Sequence, residues 1–99
     1  MVRIAAHEDA IAAFSERYPV RTLSLFGSVL RDDFGPESDV DVLIEFLPDS
    51  GVTYFDLVTM QDELTAIWGR QVDLVTPGAL SQHFRQRVLD TAQKLYERN

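Results

Sequence analysis

The sequence contains no cysteine, which excludes disulfide bonds and metal sites built on thiolates. The absence of cysteine is consistent with a reducing compartment, where disulfide bonds are rare, so we expect a cytoplasmic protein. The sequence also has no apolar run near the roughly 20 residues that a membrane span needs. Its first residues lack the apolar segment of a secretory signal peptide. We therefore expect no membrane partner.

Positive charge is scarce as well. Nine Lys and Arg residues stand against sixteen Asp and Glu residues, which gives a formal net charge of −7. Such a surface repels a phosphate backbone, so direct binding to nucleic acid is not expected. The acidity suits a basic protein partner or carboxylates that hold divalent cations, but solubility alone is the simpler explanation of it.

The chain has 99 residues, and we expect a single domain over residues 1–99. Hydrophobic periodicity predicts an α/β protein in the order helix, strand, strand, helix, strand, helix. The helices are expected on one face of a short sheet, while the other face stays open. The predicted helices cover residues 7–18, 53–68 and 80–98, and the predicted strands cover residues 20–26, 39–46 and 71–76.

Two acidic residues interrupt the clearest strand, which reads Asp39-Val-Asp41-Val-Leu-Ile-Glu-Phe. Aspartate is depleted in strands because its short charged side chain packs poorly on a pleated surface. At positions i and i+2, both carboxylates leave the same face about 7 Å apart along the strand. A cation between them would relieve their repulsion, and such hard oxygen ligands suit Mg²⁺. The alternative for an isolated pair is that both carboxylates are simply solvated.

Asp73 repeats the anomaly inside the apolar run Val-Asp-Leu-Val. If the last two strands are neighbours, three carboxylates converge on the open face. Such a cluster is what two metal ions roughly 3.5–4 Å apart need for phosphoryl or nucleotidyl transfer. A carboxylate nearby could also accept the proton of an attacking hydroxyl.

Gly27 and Ser28 follow the first strand directly. Glycine lets backbone N–H groups approach a phosphate closely, and serine adds a hydroxyl donor. The alternative is a simple turn in which serine caps a helix. Combined with the Asp39-x-Asp41 motif that follows after ten residues, the dipeptide indicates a phosphate-binding turn beside a metal site.

Gly27-Ser28, ten intervening residues and Asp39-x-Asp41 resemble the signature of the polymerase-β-type nucleotidyltransferase superfamily. More closely, the chain resembles the minimal nucleotidyltransferases, the MntA-like antitoxins that are paired with HEPN-domain (HepT-like) toxins. The resemblance covers nearly the whole chain. The stretch around Asp73 resembles the family's third-aspartate strand, and the closing Leu95-Tyr96 stretch resembles its terminal helix.

The resemblance implies a small nucleotidyltransferase fold of the α+β type, with a short mixed sheet and the active site on its open face. It implies that AMP passes from ATP to a hydroxyl, that of a tyrosine, on a HEPN toxin that forms a complex with this chain. The implied metal ligands and catalytic residues, with two Mg²⁺ ions, are Asp39, Asp41 and Asp73. The implied nucleotide-binding residues are Gly27, Ser28, Arg31 and Ser38.

Two other functions compete with this interpretation. One is an antitoxin that has lost catalysis and neutralises its toxin by non-covalent binding, although a decayed site would be expected to lose one of its three aspartates. The other is a metal-dependent phosphohydrolase, which would need a water-activating base that the sequence does not indicate. Phe55 and Trp68 are expected in the core, not on a base-stacking surface. Phe84 and Leu89 are expected on the apolar side of the last helix, which packs on the core.

Overall fold

The computed structural model describes residues 7–30, 35 and 38–98, and these residues contain three helices and four strands. Two short 3₁₀ turns, Gly27–Leu30 and Pro77–Ala79, join some of these elements. The helices are α1 (Glu8–Arg17), α2 (Tyr54–Trp68) and α3 (Gln82–Thr91), and the strands are β1 (Val20–Phe26), β2 (Val40–Phe46), β3 (Val72–Val75) and β4 (Gln93–Glu97).

The four strands form one mixed sheet in the order β3-β2-β1-β4. Strand β1 pairs antiparallel with both β2 and β4, whereas β2 pairs parallel with β3. Parallel pairing requires a long crossover between the strands, and α2 supplies it. The expected mixed sheet of the α+β type is therefore confirmed.

The prediction of a single last helix over residues 80–98 is wrong. Helix α3 ends at Thr91, because Ala92 takes an extended conformation (φ −63°, ψ 145°), and the chain continues as β4. Two apolar residues of β4, Leu95 and Tyr96, pack against the larger of the two apolar clusters described below. Strand β4 thus pairs with one edge of β1. The pairing extends from Thr22 opposite Glu97 to Leu25 opposite Gln93. An unpaired strand edge is a liability that such pairing removes.

Arg98 fastens the end of β4 to the start of β1. Its Nε donates to the carbonyl of Val20 at 2.8 Å, and its Nη2 donates to the carbonyls of Ser15 at 2.8 Å and Tyr18 at 3.1 Å. Its backbone N–H donates to the carbonyl of Arg21 at 2.8 Å. One side chain therefore joins β4 to the link between α1 and β1.

Apolar side chains form clusters on both faces of the sheet. The larger cluster lies between the sheet and helices α1 and α2, whereas Val88 of α3 packs on Phe26 and Leu43 at the opposite face. The face that was expected to stay open is thus partly covered by α3. The main cluster consists of Ile11, Phe14, Val20, Leu23, Leu25, Val29, Val40, Val42, Ile44, Met60, Leu64, Trp68, Val72 and Leu74.

Helix α2 begins and ends with recognised caps. The Asp56 N–H donates to the Thr53 hydroxyl at 3.2 Å, and the Thr53 N–H donates to the Asp56 carboxylate at 2.9 Å, which forms a capping box. Gly69 ends the helix in the left-handed region (φ 66°), as the sequence predicts.

The two aromatic residues of α2 that were expected in the core differ in their burial. Phe55 lies in the exposed first turn of the helix and is 81% accessible, so its expected place in the core is wrong. Trp68, at 8%, is buried as expected.

The apolar residues expected on the core-facing side of the last helix are also partly exposed, with Phe84 at 46% and Leu89 at 43%. Within the described ranges, no helix combines the length and apolar character that a membrane crossing requires.

Candidate active site

Asp41 and Asp73 lie side by side in adjacent strands. They are register partners in the parallel pairing of β2 with β3, and adjacent strands lie about 4.8 Å apart. Their strand neighbours Val40 and Val72 are fully buried on the face covered by α1 and α2. Because side chains alternate between faces along a strand, both carboxylates lie on the opposite face. The last two predicted strands are therefore neighbours, which was the condition for their carboxylates to lie together.

Asp39 precedes β2 by one residue and is exposed. Its position two residues before Asp41 is the one that the Asp-x-Asp pattern requires. Among the residues that the structure describes, no three His, Cys, Asp or Glu side chains converge closely enough to surround one metal ion. The structure thus pairs Asp41 with Asp73 and places Asp39 at the same end of β2.

Gly27 makes room for Asp41. It directly follows Phe26, whose register partner is Asp41, and it takes a positive φ of 75°, which favours glycine. A Cβ at Gly27 would overlap the Asp41 Oδ2 atom and would lie 3.3 Å from its Cγ. The glycine is therefore required for the position of the carboxylate, a reason that the sequence pattern alone does not show.

Ser28 follows in the 3₁₀ turn Gly27–Leu30 and is half-buried. The next residue, Val29, is fully buried in the main core and anchors the turn beside the carboxylates. The turn therefore holds Gly27 and Ser28 at the end of β1. Arg31, the next of the expected nucleotide-binding residues, lies outside the described residues.

Ser38 has a structural partner in the loop before Asp39. Its hydroxyl accepts a hydrogen bond from the Gly35 N–H at 3.0 Å, and its own N–H donates to the Gly35 carbonyl at 3.1 Å. The Arg70 Nη2 donates to the same carbonyl at 2.6 Å. Arg70, two residues before β3, thus connects the loop before β2 to the segment before β3. Sequence reasoning missed it, and its position three residues before Asp73 is the one signal that could have indicated it.

Two side chains of α2 hold the outer edge of β3. The Thr65 hydroxyl accepts from the Val72 N–H at 3.2 Å, and the Gln61 carbonyl oxygen accepts from the Leu74 N–H at 3.0 Å. These N–H groups flank Asp73 and have no further strand to pair with, since β3 is at the edge of the sheet. The α2 side chains therefore position Asp73 indirectly. Their spacing of four residues, one helical turn, was a usable signal that sequence reasoning missed.

The start of α3 borders the site from the side of β1. The rings of Phe26 and Phe84 meet edge to face, with centroids 6.5 Å apart and planes at 71°. The Arg85 guanidinium donates to the carbonyls of Pro77 at 2.7 Å and Leu80 at 3.1 Å, which fixes the start of the helix. The site is thus an acidic strand end with a glycine turn on one side and an aromatic side chain beyond it.

Comparison with known proteins adds three findings. The sequence pattern of the nucleotidyltransferase domain family matches residues 7–95. The protein adenylyltransferase MntA of Thermococcus cleftensis is 34% identical over 86 residues, which cover 87% of this chain and 82% of the relative. A chain in the crystal structure of a toxin–antitoxin complex with AMP-PNP has a TM-score of 0.74 at 19% identity, covering 93% of this chain and 74% of that one.

A further solved structure contains a tri-AMPylated HEPN toxin of Shewanella oneidensis in complex with an MNT antitoxin. One of its chains has a TM-score of 0.67 at 19% identity, covering 93% of this chain and 71% of that one. Likenesses at this level of identity establish a shared fold.

Proposed function

Since the chain belongs to the nucleotidyltransferase domain family, whose pattern spans most of its length, we propose that it transfers AMP from ATP to a tyrosine hydroxyl of a cognate HEPN-domain toxin. The transfer would neutralise the toxin, so the chain would act as an antitoxin. The observation that carries the proposal is the register of Asp41 with Asp73 beside the Gly27 turn. The adenylyltransferase MntA relative and the AMPylated toxin of the fold neighbour support the same reaction and partner.

The donor set at this strand end fits divalent magnesium. Carboxylate oxygens are the ligands that Mg²⁺ prefers, and Asp39 and Asp73 are exposed and free to turn toward an ion. Asp39, Asp41 and Asp73 would hold two Mg²⁺ ions. The chemistry supplied there would be neutralisation of the triphosphate charge and a lowered pKa of the attacking hydroxyl.

The chain's own residues would orient and complete the transfer. The toxin hydroxyl oxygen forms a bond to the α-phosphorus of ATP, the bond from that phosphorus to the bridging oxygen breaks, and pyrophosphate leaves. Asp73 would accept the hydroxyl proton. Gly27, which has no side chain, would let its backbone approach the phosphates, and the Ser28 hydroxyl would donate to a phosphate oxygen.

Of the two remaining nucleotide-binding candidates, Ser38 and Arg31, the structure describes only Ser38. Ser38 hydrogen-bonds to Gly35, so its contribution to nucleotide binding would come through the shape of the loop before Asp39. A direct contact between Arg31 and the nucleotide stays a prediction.

The partner would be a HEPN toxin held in a hetero-oligomer, and the net charge of −7 suits a partner with a basic surface. Because ATP is the donor, we propose that the reaction takes place in the cytoplasm.

Mass spectrometry of the partner toxin tests the proposal. Incubation with the wild-type chain, ATP and Mg²⁺ is expected to add adenylate units, and the modified toxin is expected to stay inactive after this chain is removed. Asp73→Asn is expected to bind the toxin without modifying it. Asp62→Asn is the matched control, because it removes an exposed carboxylate on α2 and should leave transfer intact.

The same experiment separates catalysis from binding. An unmodified toxin with the wild-type chain, together with full neutralisation by Asp73→Asn, would establish the binding antitoxin in place of the enzyme.

A further inference from the structure

We infer that Phe84 on α3 forms the nucleobase-binding surface of this site, where the adenine ring of the donor stacks on the phenyl ring. The inference rests on the proposed function, since it assigns a place to one part of the proposed nucleotide. It is carried by the exposure of Phe84, its neighbours and the way α3 is held.

The exposure of Phe84 is unusual for its position. The ring is 46% accessible, although it lies against Phe26, which is only 6% accessible. The edge-to-face contact with Phe26 restricts the orientation of the Phe84 ring while leaving much of its surface open. A fixed and open aromatic surface is what a flat base needs for stacking.

The neighbours of Phe84 place it within reach of a bound nucleotide. Phe26 contacts Phe84, precedes Gly27 directly and is the register partner of Asp41. Asp41 in turn pairs with Asp73. The Phe84 ring therefore contacts Phe26, which neighbours both the proposed phosphate-binding residue Gly27 and the proposed metal ligand Asp41. Because a ribose joins the base to the α-phosphate, a base whose phosphates lie at Gly27 falls beside this ring.

Helix α3 holds the ring in place before any ligand binds. The Arg85 guanidinium, on the residue after Phe84, donates to the carbonyls of Pro77 and Leu80. One helical turn further on, Val88 is buried against Phe26 and Leu43. A surface that is already ordered loses little conformational entropy on binding, so stacking on it is more favourable.

The surroundings of Phe84 favour a base over a protein partner. The other exposed apolar residue on α3, Leu89, comes five residues later and about 140° around the helix axis. The two side chains therefore do not form the continuous apolar patch that protein interfaces use. A single ring suits a ligand of its own size.

Calorimetric titration with two ligands in the presence of Mg²⁺ tests the inference. ATP carries a base, whereas inorganic tripolyphosphate carries the same kind of phosphate chain without one. Phe84→Leu, which keeps apolar contact with Phe26, is expected to raise the Kd for ATP about tenfold, in line with the value of one base–aromatic stack. Its Kd for tripolyphosphate is expected to stay within about twofold of wild type, since the phosphate residues are unchanged.

Two further variants serve as controls. Phe84→Trp should restore ATP binding to the wild-type level or better, because the larger ring stacks more strongly. Leu89→Ala, an equally exposed site on the same helix, should change neither affinity.

Several outcomes would overturn the inference. An unchanged Kd for ATP in Phe84→Leu, or an equal loss for both ligands, would exclude base stacking at this residue. Unchanged ATP binding with weakened toxin binding would assign Phe84 to the protein partner. These three results leave the proposed transfer standing, whereas a wild-type chain that binds no ATP would overturn both proposals.

Discussion

A methyl group at Gly27 tests how closely the turn after β1 is fitted to Asp41. Two costs apply to Gly27→Ala. The first is the positive φ of 75°, which costs a residue with a Cβ about 1–2 kcal/mol. The second is the overlap of the new Cβ with the Asp41 carboxylate, and overpacking of this kind costs about 1–3 kcal/mol.

Gly51 provides a matched control, because it has nearly the same φ (72°), yet a Cβ added there would meet no atom within 4 Å. Gly51→Ala therefore incurs the first cost alone. A destabilisation of 1 kcal/mol lowers the melting temperature of a domain this size by about 4–8 °C. We expect Gly51→Ala to lower Tm by about 5–10 °C and Gly27→Ala to lower it by about twice as much.

Adding Asp41→Ala identifies the source of the difference. In the double variant Gly27→Ala/Asp41→Ala, the overlap is removed, so the cost of the alanine at Gly27 should fall to that of Gly51→Ala. Thermal melts of the single and double variants give the coupling, and transfer should be lost in every variant that moves or removes Asp41. Equal Tm losses for Gly27→Ala and Gly51→Ala, with additive effects in the double variant, would refute the reasoning.

The metal site, the edge of β3 and the half-buried Tyr18, which follows α1, can each be tested by substitution. Asp39→Asn combined with Asp41→Asn should abolish the gain in Tm that wild type shows with ATP and Mg²⁺. An equal ligand-induced gain in the double variant would contradict the metal assignment. Gln61→Leu should destabilise the fold by about 1–3 kcal/mol, since it leaves the N–H of Leu74 without its acceptor, and amide hydrogen exchange at Leu74 should accelerate. Partial burial, reinforced by Glu63, raises the pKa of Tyr18 above its ordinary value of 10.0. The contribution of Tyr18 to the free energy of unfolding should therefore be constant below that pH and fall above it. Tyr18→Phe should flatten this fall in urea titrations, and an unchanged slope would exclude Tyr18 as its source.

The sequence predicted β1 and β2 well because apolar and polar residue types alternate along much of each strand. It also placed Asp73 correctly, since an aspartate between buried valine and leucine residues must lie on the face opposite to them. Local periodicity is sufficient for such features.

The errors arose where distant contacts decide the structure. The apolar spacing of Val88, Ala92 and Leu95 is compatible with a continuing helix, yet pairing with β1 turns residues 93–97 into a strand. The hydrogen bonds of Gln61, Thr65 and Arg70 end on backbone groups, so the spacing of these side chains could mark them as candidates but could not identify their partners.

The pairing of β4 with β1 has a consequence for the order of folding. Thr22 and Glu97 are partners across most of the chain, whereas β1 meets β2 across a much shorter loop. Closing the longer loop costs more entropy, and contacts distant in sequence slow folding. During synthesis, residues 20–46 leave the ribosome well before residues 93–97, so the hairpin-like pair can form while one edge of β1 is still bare. The nascent chain therefore passes through a stage in which β1 offers that edge to any other extended segment, and this exposure ends when β4 pairs with β1.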